Sequence, residues 1–169
     1  RKNLAFLITA FARALRLGPI KEQLVITGRQ GWYYEGLFKL VKDLKLSQKV
    51  VFTGYVEEDD LPRLYNAASL FVFPSLYEGF GLPPLEALAC GTPVISSNTS
   101  SMPEVVGQAG ILLSPEDLEA WPHQIYRVLT NQSLRQTMAE QGFTQAKKFS
   151  WEKTGLQTIK IYQEVKRTP

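Results

Sequence analysis

The fold is decided by the stretch from Leu70 to Ile95, LFVFPSLYEGFGLPPLEALACGTPVI. An apolar run of four residues opens it and indicates a buried strand. A bend containing Gly79 and Gly81 follows, and a helical pattern comes next. Pro84 suits the start of a helix, because the N–H that proline lacks has no helical partner there. The stretch therefore predicts a strand, a glycine loop and a helix, an arrangement suited to phosphate binding.

Two carboxylates, Glu78 and Glu86, lie eight residues apart across this bend. We expect Glu78 on the loop and Glu86 in the first helical turn. The free N–H groups of that turn, together with the helix dipole, favour an anion such as a pyrophosphate. A carboxylate repels phosphate, and an ionised carboxylate only accepts hydrogen bonds, so hydroxyl groups are its natural partners. The two acids therefore suggest a phosphorylated ligand that carries a sugar.

Strands and helices alternate along the rest of the chain. Hydrophobic patterning predicts short strands at residues 23–27, 49–53, 70–73, 93–96 and 110–113. Helices are predicted from Leu4 to the stop at Gly18, around 37–44 and 59–68, after the glycine bend, and at about 117–129, 132–147 and 151–165. This alternation predicts an α/β, Rossmann-like, doubly wound parallel sheet with helices on both faces.

Ligands of such sheets bind at the carboxyl ends of the strands. Gly28 follows the first predicted strand, Gly54–Val56 follows the second, and the glycine bend follows the third. We therefore expect three loops to meet at one crevice, with Gly28 and Val56 as candidate ligand-binding residues. Arg29 is a further candidate contact to a phosphate or a base. The polar stretch Ser96–Ser101 is expected to form a loop that lines the same pocket.

Composition is that of an ordinary globular domain, with 44% hydrophobic and 21% charged residues among 169. The net charge of +3 is scattered. It favours solvated helix faces and leaves attraction to an anionic donor or membrane surface open, and no nucleic-acid partner is expected.

Cys90 is the only cysteine, which fits the reducing cytoplasm, and we interpret it as a buried structural thiol. His123 is the only histidine, so no transition-metal cluster is expected. No apolar run of about 18 residues indicates a membrane span, and no signal peptide is evident.

The chain enters its first helix directly at Arg1–Leu4, without an initiator methionine or a preceding strand. We interpret residues 1–169 as a single domain excised from a longer, two-domain chain.

Several segments resemble one family in the order that the family has them. They are the E-x7-E spacing of Glu78 and Glu86, Phe52–Val56, Leu61–Tyr65, Phe73–Tyr77, Thr92–Ser97, Met102–Val106 and Phe149–Trp151. They resemble retaining glycosyltransferases of the GT-B fold, of the family 4 type. The resemblance covers nearly the whole chain, which makes it more specific than the spaced acids alone.

The resemblance implies that this domain is the C-terminal, donor-binding half of a GT-B fold. The implied reaction transfers a hexose of the mannose or glucose type from a nucleotide-diphosphate sugar to an acceptor hydroxyl, with retention of configuration. No cofactor and no metal are implied. The saccharide or lipid-linked acceptor would be read by an N-terminal domain, so the isolated 169 residues are expected to be inactive. Polysaccharide biosynthesis in the cytoplasm is implied, and peripheral association with the inner membrane surface is left open.

The resemblance also implies roles for individual residues. Glu86 would accept from the ribose hydroxyls, Glu78 would bind the donor sugar, and Lys2 would contact the diphosphate and stabilise the leaving group. The family pairs that lysine with an arginine a few residues upstream, which this chain does not contain. The donor-binding set is completed by the backbone N–H groups of Gly79, Phe80, Gly81 and Leu82. The phenyl ring of Phe80 is expected to pack.

Other functions remain open from the sequence. A GT-B enzyme such as an epimerase or a phosphorylase is one alternative, and a non-catalytic nucleotide-sugar-binding module is another. A hydride-transferring enzyme is disfavoured, because no G-x-G-x-x-G motif follows the first visible strand. The last helix, from Trp151 onward, resembles a segment that packs towards the other domain, so Ile159, Ile161 and Tyr162 are expected to be exposed here.

Overall fold

Helices and strands alternate as predicted in the computed structural model, which describes residues 1–28 and 34–167. Arg29 lies outside the described residues. The strands are β1 (Leu24–Thr27), β2 (Val50–Gly54), β3 (Phe71–Phe73), β4 (Val94–Ser97) and β5 (Ile111–Leu113). The helices are α1 (Leu4–Leu17), α2 (Tyr34–Asp43), α3 (Leu61–Ala67), α4 (Leu82–Ala89), α5 (Met102–Val106), α6 (Ala120–Thr130), α7 (Gln132–Ala146) and α8 (Trp151–Arg167). A short 3-10 turn, Glu58–Asp60, precedes α3.

All strand pairs of the described residues are parallel. β1 pairs with β2, and β4 lies between β3 and β5. Helices cover both faces, as β4 demonstrates: Ile95 packs in a cluster with α1 and α6, whereas its neighbour Val94 packs against α4 and α5. Because successive strand side chains point to opposite faces, one helical layer lies on each side. The prediction of a Rossmann-like α/β fold with parallel strands is confirmed, although the described strands form two sheets.

The larger core cluster joins α1 and α6 to the sheet. Ile8, Trp121 and Ile125 are almost completely buried there. The ring of Trp121 meets Phe6 edge-on at 5.7 Å, and its indole N–H donates to the carbonyl of Ser114 at 2.8 Å. This bond satisfies the one polar group of the tryptophan, so the large ring is buried without an unpaired donor.

Two boundaries differ from the sequence prediction. Ser96 and Ser97 belong to β4 and are buried, so the loop beyond the fourth strand begins later than expected. Helix α4 begins at Leu82, which places Glu86 in its second turn and not in the first. The earlier start follows from Gly81, which holds a φ of 109° as the residue that precedes the helix. Prolines are tolerated in the first turn because no helical acceptor lies opposite their nitrogens.

Helix α8 exposes the side chains of residues 151–166 to solvent. Ile159, Ile161 and Tyr162 are 54%, 57% and 71% exposed, as expected for a helix without a covering layer.

We predict that Gly81→Ala destabilises the protein by about 1–3 kcal/mol, whereas Gly79→Ala changes the free energy of unfolding by less than about 1 kcal/mol. A Cβ at Gly81 would overlap the buried side chain of Met102 and would force a left-handed alanine. A Cβ at Gly79 meets no atom within 4 Å. Urea denaturation of the two variants measures the difference. Equal losses of stability in the two variants would contradict the prediction, because the positive φ and the overlap with Met102 would then not explain the loss at Gly81.

Candidate functional site

A cleft of about 630 Å³ opens where several of the predicted site residues meet. Gly28 follows β1, Val56 follows β2, and Lys2 and Glu86 join them in the cleft wall. Their convergence follows from the parallel strands, whose carboxyl ends share one edge. The predicted crevice therefore exists for the loops after β1 and β2, with a lysine and a carboxylate in its wall, whereas the third predicted loop, the glycine bend, does not line it.

The glycine loop lies at the rim of this cleft. Pro74 and Pro83 line the cleft, whereas residues 75–82 between them do not. Glu78 is half-buried. Of the next three residues, Gly79 and Phe80 are exposed and Gly81 is buried. The phenyl ring of Phe80 meets Phe149 edge-on at 5.9 Å, which fits the packing role expected for it.

Hydroxyl groups of the loop that follows β4 hold the glycine loop in place. Ser100 accepts from the backbone N–H of Glu78 at 3.2 Å, and Ser101 donates to the carbonyl of Phe80 at 2.5 Å. The prediction that the segment Ser96–Ser101 lines the pocket is wrong, because none of its residues lies in the cleft wall. Its hydroxyls replace water as partners of the loop backbone, so the loop has a defined shape before any ligand binds.

Glu78 is oriented by a buried serine. Ser75 is 1% exposed, and its hydroxyl donates to Oε1 of Glu78 at 2.9 Å. Among the described residues, the other oxygen of this carboxylate has no hydrogen-bond partner. One oxygen is thus fixed by the protein and the second is available to a ligand hydroxyl.

Of the two predicted sets of N–H groups, the loop set of residues 79–82 is present, whereas the prediction that the first turn of α4 offers free N–H groups is wrong beyond Leu82. Pro83 and Pro84 occupy the second and third positions of α4 and carry no N–H, and the N–H of Leu85 donates to the carbonyl of Gly81 at 3.3 Å. The first turn of α4 therefore contributes only the N–H of Leu82.

Four consecutive backbone N–H groups remain, those of residues 79–82. Within the described part of the chain, none of them is bonded to a protein acceptor. A row of free N–H groups at the start of a helix attracts an anion by hydrogen bonding and by the helix dipole.

Lys2 is exposed but lies between two anchored neighbours. The carbonyl of Arg1 accepts from the N–H of Leu76 at 3.0 Å, and the side-chain amide of Asn3 donates to the carbonyl of Pro115 at 3.1 Å. The start of α1 is therefore tied to the glycine loop, and its lysine is held beside the cleft.

Glu86 is oriented by Tyr65, which the sequence analysis did not select. The hydroxyl of Tyr65 donates to Oε2 of Glu86 at 3.0 Å. The tyrosine is itself fixed, because its ring meets Phe71 edge-on at 5.5 Å and its carbonyl accepts from Thr92 at 2.7 Å. Burial, the Glu86 carboxylate and the hydrogen bond to it raise the pKa of Tyr65, so the phenol stays protonated and remains a donor. In the sequence, Tyr65 lies 21 residues before Glu86 on a separate predicted helix, and this spacing alone does not indicate the contact.

Other candidate groups contribute less. Cys90 is only partly buried, contrary to the expectation, and burial followed by the charge of Glu86 raises its pKa, so it remains a thiol at neutral pH. His123 is exposed on α6, as predicted. Over residues 1–28 and 34–167, no group of three acidic, histidine or cysteine side chains is arranged to hold a metal. No helix in the same ranges has the length and apolar character needed to cross a membrane.

Comparison with known proteins places this geometry in a family. Residues 1–145 match the family described as glycosyl transferases group 1. O-antigen chain mannosyltransferase B of Escherichia coli is 42% identical over 163 residues, which are 96% of this chain and 43% of that protein. The chain spans less than half the length of this curated relative.

Solved structures agree on the fold. Sucrose-phosphate synthase from Thermosynechococcus elongatus superposes with a TM-score of 0.87 at 30% identity, over 100% of this chain and 43% of that one. The C-terminal domain of the group 1 glycosyltransferase LpcC from Francisella tularensis superposes with a TM-score of 0.78 at 25% identity, over 87% of this chain and 78% of that one. The chain belongs to the group 1 glycosyltransferases and has the Rossmann-like fold of one half of a GT-B enzyme.

Proposed function

We propose that this domain is the donor-binding, C-terminal half of a retaining hexosyltransferase. The observation that carries the proposal is the cleft that joins Glu86, oriented by Tyr65, to Lys2 and lies beside the glycine loop with its free N–H groups. An acceptor-only carboxylate and a row of anion-binding donors suit the ribose and the diphosphate of one nucleotide.

The work of these residues is binding and charge stabilisation. Glu86 accepts from the ribose hydroxyls, and Glu78 accepts from hydroxyls of the donor sugar. The N–H groups of residues 79–82 and the ammonium of Lys2 face the diphosphate, where negative charge grows as the sugar–phosphate bond breaks. The new bond forms to the acceptor oxygen, whose hydroxyl proton is released. Donor groups fixed before the reaction lower the barrier because they need not reorganise.

We propose mannose as the transferred sugar. A relative that is 42% identical carries the name O-antigen chain mannosyltransferase B, and this name favours transfer over epimerisation or phosphorolysis. An acceptor saccharide, lipid-linked or free, would be bound mainly by a further domain of the longer protein. Reaction without a metal, a cytoplasmic location and contact with the inner membrane surface stay predictions.

We expect Glu86→Gln to weaken nucleotide binding by about tenfold or more, because hydrogen bonds to a charged group contribute about 1.5–3 kcal/mol each. The measurement is calorimetric titration of the full-length protein with GDP, UDP and ADP. The nucleotide that binds identifies the base. Glu140→Gln, on the exposed side of α7, is the matched control and should leave the affinity unchanged. Unchanged binding in Glu86→Gln would remove the ribose role from the proposal.

Tyr65→Phe should weaken the same nucleotide by about 3–10-fold, because Glu86 loses its fixed donor. Inorganic pyrophosphate, which has no ribose, should bind this variant as well as it binds the parent. The paired titrations separate orientation of the carboxylate from damage to the loop. An equal loss for both ligands would indicate a general structural defect.

A further inference from the structure

The glycine loop has a single side chain at its tip, the phenyl ring of Phe80. Gly79 and Gly81 lie on either side of it and carry no side chain. Glycine backbones sample more conformations than those of other residues, so N–H groups on such a loop keep fixed directions only when outside contacts restrain them. Contacts to the Phe80 ring are therefore one of the few ways in which the protein can restrain this loop.

Phe149 contacts this ring. The two rings meet edge-on, with their centroids 5.9 Å apart and their planes at 78°. Aromatic pairs favour this arrangement, which depends on direction as well as on buried area. Phe80 remains 41% exposed, so no core encloses its ring, and the contact with Phe149 limits where the ring can lie.

A hydroxyl restrains the peptide unit on one side of Phe80. Ser101 donates to the carbonyl of Phe80, and because a peptide unit is planar, this bond also sets the direction of the Gly81 N–H. The unit on the other side has no such bond. Among the residues that the structure describes, none donates to the carbonyl of Gly79, and Pro83, four residues later, has no N–H. The direction of the Phe80 N–H therefore depends on where the α-carbon and ring of Phe80 lie.

The residues that restrain Phe80 are joined to each other by a buried amide. Gln145 is 7% exposed, and its side chain donates to the carbonyls of Glu104 at 3.1 Å and Val105 at 3.0 Å. These carbonyls belong to α5, which begins directly after Ser101. Gln145 itself lies at the end of α7, four residues before Phe149. The amide thus fixes the helix that follows Ser101 against the helix that leads to Phe149.

Local structure keeps this joint in place. Gly107 follows α5, and a Cβ there would lie 2.9 Å from Nε2 of Gln145, so the absence of a side chain lets the amide approach. Beyond α7, the N–H of Phe149 donates to the carbonyl of Ala146 at 3.1 Å. The position of Phe149 relative to α5 is therefore set by hydrogen bonds in the body of the domain.

We propose that Phe149 is a positioning residue for the free N–H groups of residues 79–82. Its ring fixes the ring of Phe80, which in turn fixes the Phe80 N–H beside its neighbours. Phe149 does not lie in the cleft wall, so it acts through Phe80 and not by touching a ligand. The role rests on the proposed function, in which these N–H groups bind the diphosphate of the donor.

The loop amides of the unsubstituted, ligand-free, full-length protein test the restraint directly. Backbone ¹⁵N relaxation should give the amides of Gly79, Phe80 and Gly81 order parameters of about 0.85, the value of rigid backbone. Values below about 0.6, which are typical of flexible segments, would overturn the proposal. This measurement needs no variant, so it decides the matter even where a substitution prevents folding.

Calorimetric titration of the full-length protein with inorganic pyrophosphate tests the role in binding. Phe149→Ala should weaken pyrophosphate binding by about 3–10-fold, because the loop must then become ordered when the anion binds. Phe149→Tyr keeps the edge-on ring and should restore the affinity of the parent, since the open cavity of about 720 Å³ that Phe149 lines leaves space for a hydroxyl. Parental affinity in Phe149→Ala would overturn the proposal.

Phe143→Ala is the matched control. Phe143 is 46% exposed on α7, and its ring lies against Gly91 after α4 and not against the glycine loop. The substitution removes a ring of the same size from the same part of the chain and should leave pyrophosphate affinity unchanged. An equal loss in Phe143→Ala and Phe149→Ala would show general damage around α7 and would overturn the proposal.

A double-mutant cycle tests whether Phe149 acts through Phe80. If the contact between the rings carries the effect, the variant with both Phe80→Ala and Phe149→Ala should bind pyrophosphate no more weakly than Phe80→Ala alone. Two losses that multiply would give Phe149 an effect independent of Phe80. That result would overturn the positioning role, which a purely structural contribution to stability would not distinguish.

The same titrations, repeated with GDP, UDP and ADP, separate this role from the proposed function. Phe149→Ala should weaken pyrophosphate and nucleotide alike, whereas Tyr65→Phe should weaken the nucleotide alone. Weaker pyrophosphate binding in Phe149→Ala, with no effect of Glu86→Gln on any nucleotide, would support the positioning role and reject the ribose site. The reverse pattern would keep the ribose site and overturn the positioning role. A parent protein that binds neither pyrophosphate nor nucleotide would overturn both.

Discussion

Parallel pairing of β3 with β4 determines where the parts of the site lie. Phe71 stands opposite Val94, so the chain leaves both strands at the same edge of the sheet. The glycine loop after β3 and the hydroxyl-rich loop after β4 therefore emerge side by side. The hydroxyls of Ser100 and Ser101 then bond to the glycine-loop backbone. A loop rich in glycine would otherwise sample many conformations, and these bonds offset part of that entropy before a ligand arrives.

The same geometry gives each acid one internal partner. Ser75 occupies an oxygen of Glu78, and Tyr65 occupies an oxygen of Glu86. A carboxylate held by one hydrogen bond keeps a fixed plane and presents its remaining acceptor sites in defined directions. Sugars and ribose offer neighbouring hydroxyls as donors, whereas phosphates offer none, so under the proposed function the acids would bind the sugar portions of the donor and the loop N–H groups would bind its charge.

Much of this could be predicted from the sequence, because strand–helix alternation and the carboxyl-end rule need only local patterns. Gly28 and Val56 were expected in one crevice, and they line one cleft together with Lys2 and Glu86, whereas the glycine bend expected beside them lies at its rim. The helix start was misplaced, because the helix begins at Leu82, directly after a glycine with a positive φ, and no local pattern of the sequence indicates that angle. Tyr65 was missed because its contact with Glu86 joins two helices, and no spacing rule indicates such a pair.

Pro83 and Pro84 explain why the free N–H groups lie on the glycine loop and not within the first turn of the helix. Proline supplies no N–H, so a helix that begins with this pair cannot use its second and third residues to bind an anion. The free N–H groups of residues 79–82 therefore lie on the loop side of this junction, which the two prolines stiffen. The same loop is tied to the start of α1, because the carbonyl of Arg1 accepts from the N–H of Leu76, and to the loop after β4 by the hydroxyls of Ser100 and Ser101. The loop N–H groups are therefore held by bonds to two neighbouring segments and not by the helix, so their directions depend on those bonds.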